Sequence, residues 1–278
     1  QLLSFALFGE SSTKARIENT YGGNCNTILL GTAGSTALCS DDDVIFSGRD
    51  LSGEGGWEPL RIHPGEGMLN VRHFESAEEV FGTFGGGESD VLAAFESYLS
   101  RRLASLIREH GSGSLDLSHL EGAMLTSLIN EPTEAVRIAL PSIIGDSGRP
   151  NNHMVLGETA LRRAPALGEV ETALRSRYVH RFIDTPTVSS SSHFMSTAFA
   201  MDNREVLPPF FPLGRGNDGA FGAAFRYVYP SGLIAYLPTG LMHAPLPQRG
   251  AYAEGMENIH TRVSDTLTRL TEHFARTS

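Results

Sequence analysis

The chain is poor in cysteine, in basic charge and in long apolar runs, and each shortage excludes something. Its two cysteines, Cys25 and Cys39, lie in small or apolar surroundings without CxxC spacing. That rules out a disulfide scaffold or a cysteine zinc site, and it fits free buried thiols in a reducing, cytoplasmic compartment. Lys and Arg number 22 against 32 Asp and Glu, a formal charge of -10, and no basic stretch is dense enough to track a phosphate backbone. Nucleic acid is therefore not an expected partner. An anionic substrate would have to be met locally, by a metal ion, an Arg side chain or a helix N-terminus. No run approaches the roughly 20 apolar residues that a helical span requires, so no transmembrane segment is expected. The opening Gln1-Leu2-Leu3-Ser4 also lacks the basic region and cleavage site of a leader peptide.

What the chain does have is enough apolar content, 40% of 278 residues, to bury a sizeable core. One main domain over residues 1–250 and a C-terminal amphipathic helix over 251–278 is the expected organisation. The pattern reads as α/β, a mixed sheet flanked by helices. Residues 4–8 suggest a short strand, 24–32 a helix, and 36–40 a strand that runs into three aspartates. Glycine-rich residues 51–90 read as loops. Residues 91–110 read as one helix ending at Gly111, because apolar residues recur at helical spacing from Leu92 to Ile107. Residues 123–130 and 135–145 read as buried elements, 158–177 as helical, and 192–201 as a buried strand. The segments 221–229 and 233–237 flank a turn at Pro230-Ser231-Gly232.

Three constellations carry chemistry. In Ser40-Asp41-Asp42-Asp43-Val44, adjacent carboxylates at a strand end repel one another unless a cation or hydrogen-bond donors neutralise them. Asp41 and Asp43, two apart, suit a hard cation such as Mg2+ or Mn2+ that keeps positions open for phosphate oxygens; a solvated acidic turn is the alternative. A second cluster is Arg215-Gly216-Asn217-Asp218 followed by Phe221-Gly222, where the residues themselves allow Asp218 to be a helix N-cap. The third is His243, downstream in Leu241-Met242-His243-Ala244.

Taken in order, the segment Gly22-Gly23-Asn24-Cys25-Asn26-Thr27, the strand after it and its aspartates resemble the DxD region of GT-A fold glycosyltransferases, and the Asp218 segment is similar to the acidic acceptor-side motif of the inverting members. The resemblance implies a GT-A-like mixed sheet that binds a nucleotide-diphosphate sugar donor and transfers the sugar to an unknown acceptor hydroxyl. It assigns Asp43, with Asp41 and the late His243, to a Mn2+ or Mg2+ ion, and Asp218 to catalysis as the base. It assigns Asp41, Asp42, Asn24, Asn26 and Arg215 to the donor, with helix capping as the other reading of the asparagines. Either Arg204 or Arg215 would bring positive charge near the phosphates, unless each serves a structural ion pair. Asn217 departs from the acidic first position of that motif, which keeps a non-catalytic nucleotide-sugar-binding paralogue as an alternative. Only 40 residues precede Asp41, so the chain is expected to be N-terminally incomplete, without its first βα unit and with an uncovered edge beside the Asp41 strand. Gly145-Asp146-Ser147-Gly148 matches the tetrapeptide around a serine-protease nucleophile, with His63 and His73 upstream. The helical content argues against that fold, and a turn near the ligand is the better reading.

Overall fold

The computed structural model describes residues 21–52, 56–63, 70–84, 87–111, 115–118, 135–148, 175–212, 216–247 and 263–277. In chain order these contain α1 (Tyr21–Gly31), β1 (Thr36–Ser40), β2 (Val44–Asp50), β3 (Leu60–His63), β4 (Asn70–His73), α2 (Ala77–Phe84), β5 (Glu88–Ser89), α3 (Val91–Tyr98), α4 (Leu103–His110) and β6 (Leu115–Asp116). There follow β7 (Val136–Gly145), β8 (Val179–Phe182), β9 (Thr187–Ser189), β10 (Ala198–Asp202), α5 (Asn217–Val228), β11 (Leu233–His243) and α6 (Val263–Thr277).

The chain is α/β, built on one mixed sheet in the order β1-β10-β7-β11-β9-β3-β6, with β2 also on β11 and β5 on β2. At its centre β7 and β11 run parallel. Both are apolar almost throughout, the pattern of strands covered on two faces. Alternate residues feed two cores. Val136 and Ala139 of β7, with Leu233, Ala235 and Leu237 of β11, face Val91, Phe95, Leu103 and Leu106 of α3 and α4. Ile138 and Leu140, with Ile234 and Tyr236, face Leu29 of α1 and Phe221 and Phe225 of α5. Helices thus cover both faces of the sheet, and a period-two strand pattern is the reason.

β7 and β11 each carry a proline within the ladder, at Pro141 and Pro238. The register between them slips at Leu237/Gly240, a bulge that removes two residues of β11 from the regular ladder. Side chains fill the gap: Ser142 Oγ accepts from Ile183 N–H at 3.0 Å, and the Ser89 and Thr239 hydroxyls meet at 3.0 Å. Beyond the bulge β11 continues beside β2, ending with His243 opposite Val44.

Several sequence expectations change here. Residues 51–90 are not only loops, because β3, β4, α2 and β5 lie among them. The single helix over 91–110 is two helices. α3 ends at Leu99, Ser100 takes φ 64°, and its N–H donates to Val136 O at 2.8 Å. Gly111 does end the second helix, at φ 71°. The strand expected over 192–201 is confined to Ala198–Asp202, and 221–228 belong to helix α5. Readings over 4–8, 123–130, 158–174 and 251–262 lie outside the described residues, as does Arg215. β1 stands at the end of the sheet order and, among the described residues, pairs with β10 alone.

Candidate functional site

Three chain ends converge beyond β7 and β11. β1 runs out at Ser40, and Asp41 N–H donates to Thr197 O at 2.9 Å. The Asp41-Asp42-Asp43 turn then leads into β2, whose first residue faces His243 across the ladder. Ala244 N–H donates to Asp43 O at 2.8 Å, and Asp146 N–H donates to His243 O at 2.9 Å. Backbone pairing alone therefore sets Asp43, His243 and Asp146 side by side. Gly145 is required for this. It takes φ 97°, and a Cβ there would stand 2.5 Å from His243 O and 2.3 Å from the Met242 sulfur.

The His243 ring is fixed at both nitrogens. Nδ1 lies 2.5 Å from the Asp146 carbonyl oxygen and Nε2 lies 3.1 Å from Asp43 Oδ2. A carbonyl only accepts, so Nδ1 carries a proton. Nε2 then faces a carboxylate, an arrangement that needs either a second proton on the ring or a cation shared with Asp43. The spacing suits a cation: two ligands each about 2.1 Å from a metal and at right angles to one another are about 3.0 Å apart. His243 and Asp43 have that spacing. Among the described residues no three His, Cys, Asp or Glu side chains converge on one point. Protein side chains would then fill few coordination positions and leave the rest to substrate and water, as hard cations in phosphate sites prefer.

Asp43 and His243 form part of the wall of a cavity of about 200 Å³ that Asp41, Asp42, Asp146 and Asp218 also line. Its described lining includes these five aspartates and no Lys or Arg. Desolvation, followed by the charges of Asp43 and Asp218, pushes the Asp41 carboxyl up to about 6. The aspartates thus feel one another, and a cation would relieve the repulsion. Arg177 compensates one of them from behind, its Nη1 lying 3.2 and 3.3 Å from the two Asp146 carboxylate oxygens.

Asp218 reaches the cavity from the first turn of α5. Two close approaches put it there. A Cβ on Gly222 would lie 1.8 Å from Ser192 O, so only glycine lets α5 settle onto the segment before β10. Phe221 also stacks on Phe210, with ring centroids 4.0 Å apart and planes 7° from parallel. The 192–197 segment then brings Ser196 against the helix start, and Ser196 Oγ donates to Asp218 Oδ1 at 2.7 Å. Asp218 is 8% exposed and its neighbour Asn217 is 4% exposed.

Of the residues singled out from sequence, the fold brings Asp41, Asp42, Asp43, Asp218 and His243 to one cavity. Asn24 lies on the exposed face of α1. Asn26 is corrected from a donor contact to a structural residue: it is fully buried, its Nδ2 donates to Phe210 O at 2.9 Å, and its Oδ1 accepts from Phe210 N–H at 2.7 Å. Arg204 follows its ion-pair alternative, being paired with Asp202 at 2.6 Å beside Ser100 and absent from the described cavity lining. Ser147 does line the cavity. The cavity's histidine, however, turns its nitrogens to Asp146 and Asp43, while His63 and His73 lie on β3 and β4. Among the described residues, therefore, no serine-protease triad is assembled around Ser147. Sequence reading missed Asp146 as a carbonyl partner, Ser196 as the Asp218 partner, and Tyr21 and Met195 as walls. Only the Asp146-Ser147 turn had left a signal.

Compared with protein-family models, with curated proteins and with solved structures, the chain matches none.

Proposed function

We propose that this protein is a metal-dependent transferase that moves a sugar from a nucleotide-diphosphate donor to an acceptor hydroxyl with inversion. The observation that carries the reading is the His243 ring, held by Asp146 O on one side and 3.1 Å from the Asp43 carboxylate on the other, in a cavity that also receives Asp41 and Asp218. The protonated Nδ1 and the ligand-edge spacing fit Mn2+ or Mg2+, with Asp43 and His243 as protein ligands and Asp41 and Asp42 beside the donor. When bound, such an ion supplies positive charge to the diphosphate leaving group.

The remaining roles belong to the chain itself. Ser196 holds one oxygen of Asp218, which fixes the carboxylate at the helix start. From there Asp218 takes the proton of the acceptor hydroxyl as the new C–O bond forms. Burial of Asn217 and Asp218 keeps bulk water from competing for that position. The pairing of Ser196 with Asp218 supports catalysis over passive binding, because an orienting partner is what a base requires.

The test is a thermal-unfolding screen of nucleotide-diphosphate sugars with and without Mn2+. A ligand that binds only the native state, present at about 100 times its dissociation constant, adds about 2.7 kcal/mol. At least one donor should stabilise the protein only with the metal, and Asp43→Asn and His243→Ala should abolish that effect. Metal-independent stabilisation, or none with any donor, would leave His243 and Asp43 as a plain ion pair and end the proposal.

A further inference from the structure

Asn217 opens α5 immediately before Asp218. It lines the cavity, is 4% exposed, and its Nδ2 is buried without a hydrogen-bond partner among the described residues. Buried amide donors are rarely left unmatched, and an orphan in a cavity wall calls for a specific explanation. The helix start around it adds donors of its own. Gly216 takes φ 90° and no side chain caps the helix, while Gly216, Asn217 and Asp218 all border the same space. At the start of α5, beside the Asp218 carboxylate and with no Lys or Arg in the described lining, an anion is a poor occupant unless a cation at Asp43 and His243 accompanies it. A neutral group that both accepts and donates is a better one.

The wall also continues. Ile143 and Met195 are shared with a smaller recess of about 20 Å³, whose lining also includes Arg181 and the pair Tyr236 and His193. Their rings stack 6.3 Å apart at 22°, and Tyr236 Oη donates to His193 O at 2.5 Å, which locks the pair. That recess has room for about one water beside the aromatic pair, at the edge of the cavity.

We infer that Asn217 and Asp218 together grip two neighbouring hydroxyls of the acceptor, Asn217 donating to one oxygen and Asp218 accepting from the other. The acceptor is then a neutral sugar or polyol with a vicinal diol, not a lone alcohol or an anion. The inference rests on the transferase reading of the cavity for the word acceptor, while the diol site itself can be tested without donor or metal.

The experiment uses the whole chain labelled with 15N-asparagine. Asn217→Asp removes the Asn217 side-chain NH2 signal and so identifies it. Methyl glucoside, methyl mannoside and methyl galactoside are titrated at millimolar concentration, with 1-propanol and acetate in parallel. At least one glycoside should shift the Asn217 signal saturably while propanol and acetate do not. Saturation-transfer measurements should show that Asn217→Asp, which replaces a donor by an acceptor, weakens that glycoside about tenfold or more. Asn217→Ser, which keeps a donor, should fall between the two. A signal unmoved by every glycoside, or moved equally by propanol or acetate, overturns the inference. Should the donor screen with Mn2+ fail while Asn217 still responds to glycosides, the transferase reading falls and the diol site stands.

Discussion

Replacing Asn26 by alanine is the sharpest test of how α1 is held. The Asn26 side chain closes a ring with the backbone of Phe210, donating to its carbonyl at 2.9 Å and accepting from its N–H at 2.7 Å, and Phe210 is 1% exposed. Alanine removes both bonds and leaves both backbone groups without their partner. Each buried group left unsatisfied costs about 1–3 kcal/mol, so the loss should be about 3 kcal/mol. At about 2–4 °C per kcal/mol for a chain of this size, the unfolding midpoint should drop by about 6–12 °C. Urea unfolding followed by circular dichroism measures the first quantity and a thermal scan the second. Asn26→Asp should cost at least as much, since a carboxylate would face the Phe210 carbonyl. Well below the midpoint, Asn26→Ala should bind nucleotide-diphosphate sugars about as the wild type does. A stability change under about 1 kcal/mol would refute the structural role. Lost donor affinity with unchanged stability would return Asn26 to the donor site.

Gly222→Ala places a Cβ 1.8 Å from Ser192 O and must push α5 outward by more than 1 Å; a displacement of that size at a catalytic group costs about 100-fold in turnover. An alanine variant with normal stability and turnover would mean that α5 does not bear on that segment. Ser196→Ala should cost about 1–3 kcal/mol, because a buried Asp218 oxygen loses its donor, and should slow transfer by freeing Asp218 to rotate. Unchanged kcat would remove Ser196 from the mechanism. Burial, reinforced by His73, holds the His180 imidazole down at about 3. The unfolded chain therefore binds a proton that the native state refuses, and stability falls as pH drops from about 6.5 toward 3, by up to about 1.4 kcal/mol per pH unit. Urea unfolding of His180→Leu at pH 7, 6 and 5 should show a shallower slope than wild type; parallel slopes would refute the assignment.

The central strands were legible in part because burial on two faces leaves apolar runs, as in 136–145 and 233–237, whereas the continuation of β11 past Pro238 to His243 was not read. The turn at Asp41–Asp43 was legible because three carboxylates at a strand end are costly without a partner. Residues 91–110 misled for a physical reason. Leu99, Leu103 and Leu106 keep helical phase across the break, which is decided by long-range bonds of Ser100 to Val136 O and to Asp202. β3 was illegible for a similar reason. It is four residues long and exists by pairing with β9, far along the chain. Asn26 and Asn24 look alike in sequence. Only the approach of Phe210 separates a buried clamp from a surface amide, and that approach depends in turn on Gly22, where a Cβ would meet Phe211 O at 2.0 Å.

The position of β11 sets the order in which this molecule can be made. It lies between β7 on one side and β9 and β2 on the other, yet among the described residues it is the last strand of the sheet to leave the ribosome. Until residue 243 emerges, β7 waits with an open ladder edge and an apolar surface that its parallel neighbour is meant to cover. That interval spans nearly a hundred residues of synthesis, during which the apolar edge is exposed to pairing with other chains. Asp43 is made 200 residues before His243, so the pocket is complete only once β11 has joined the sheet.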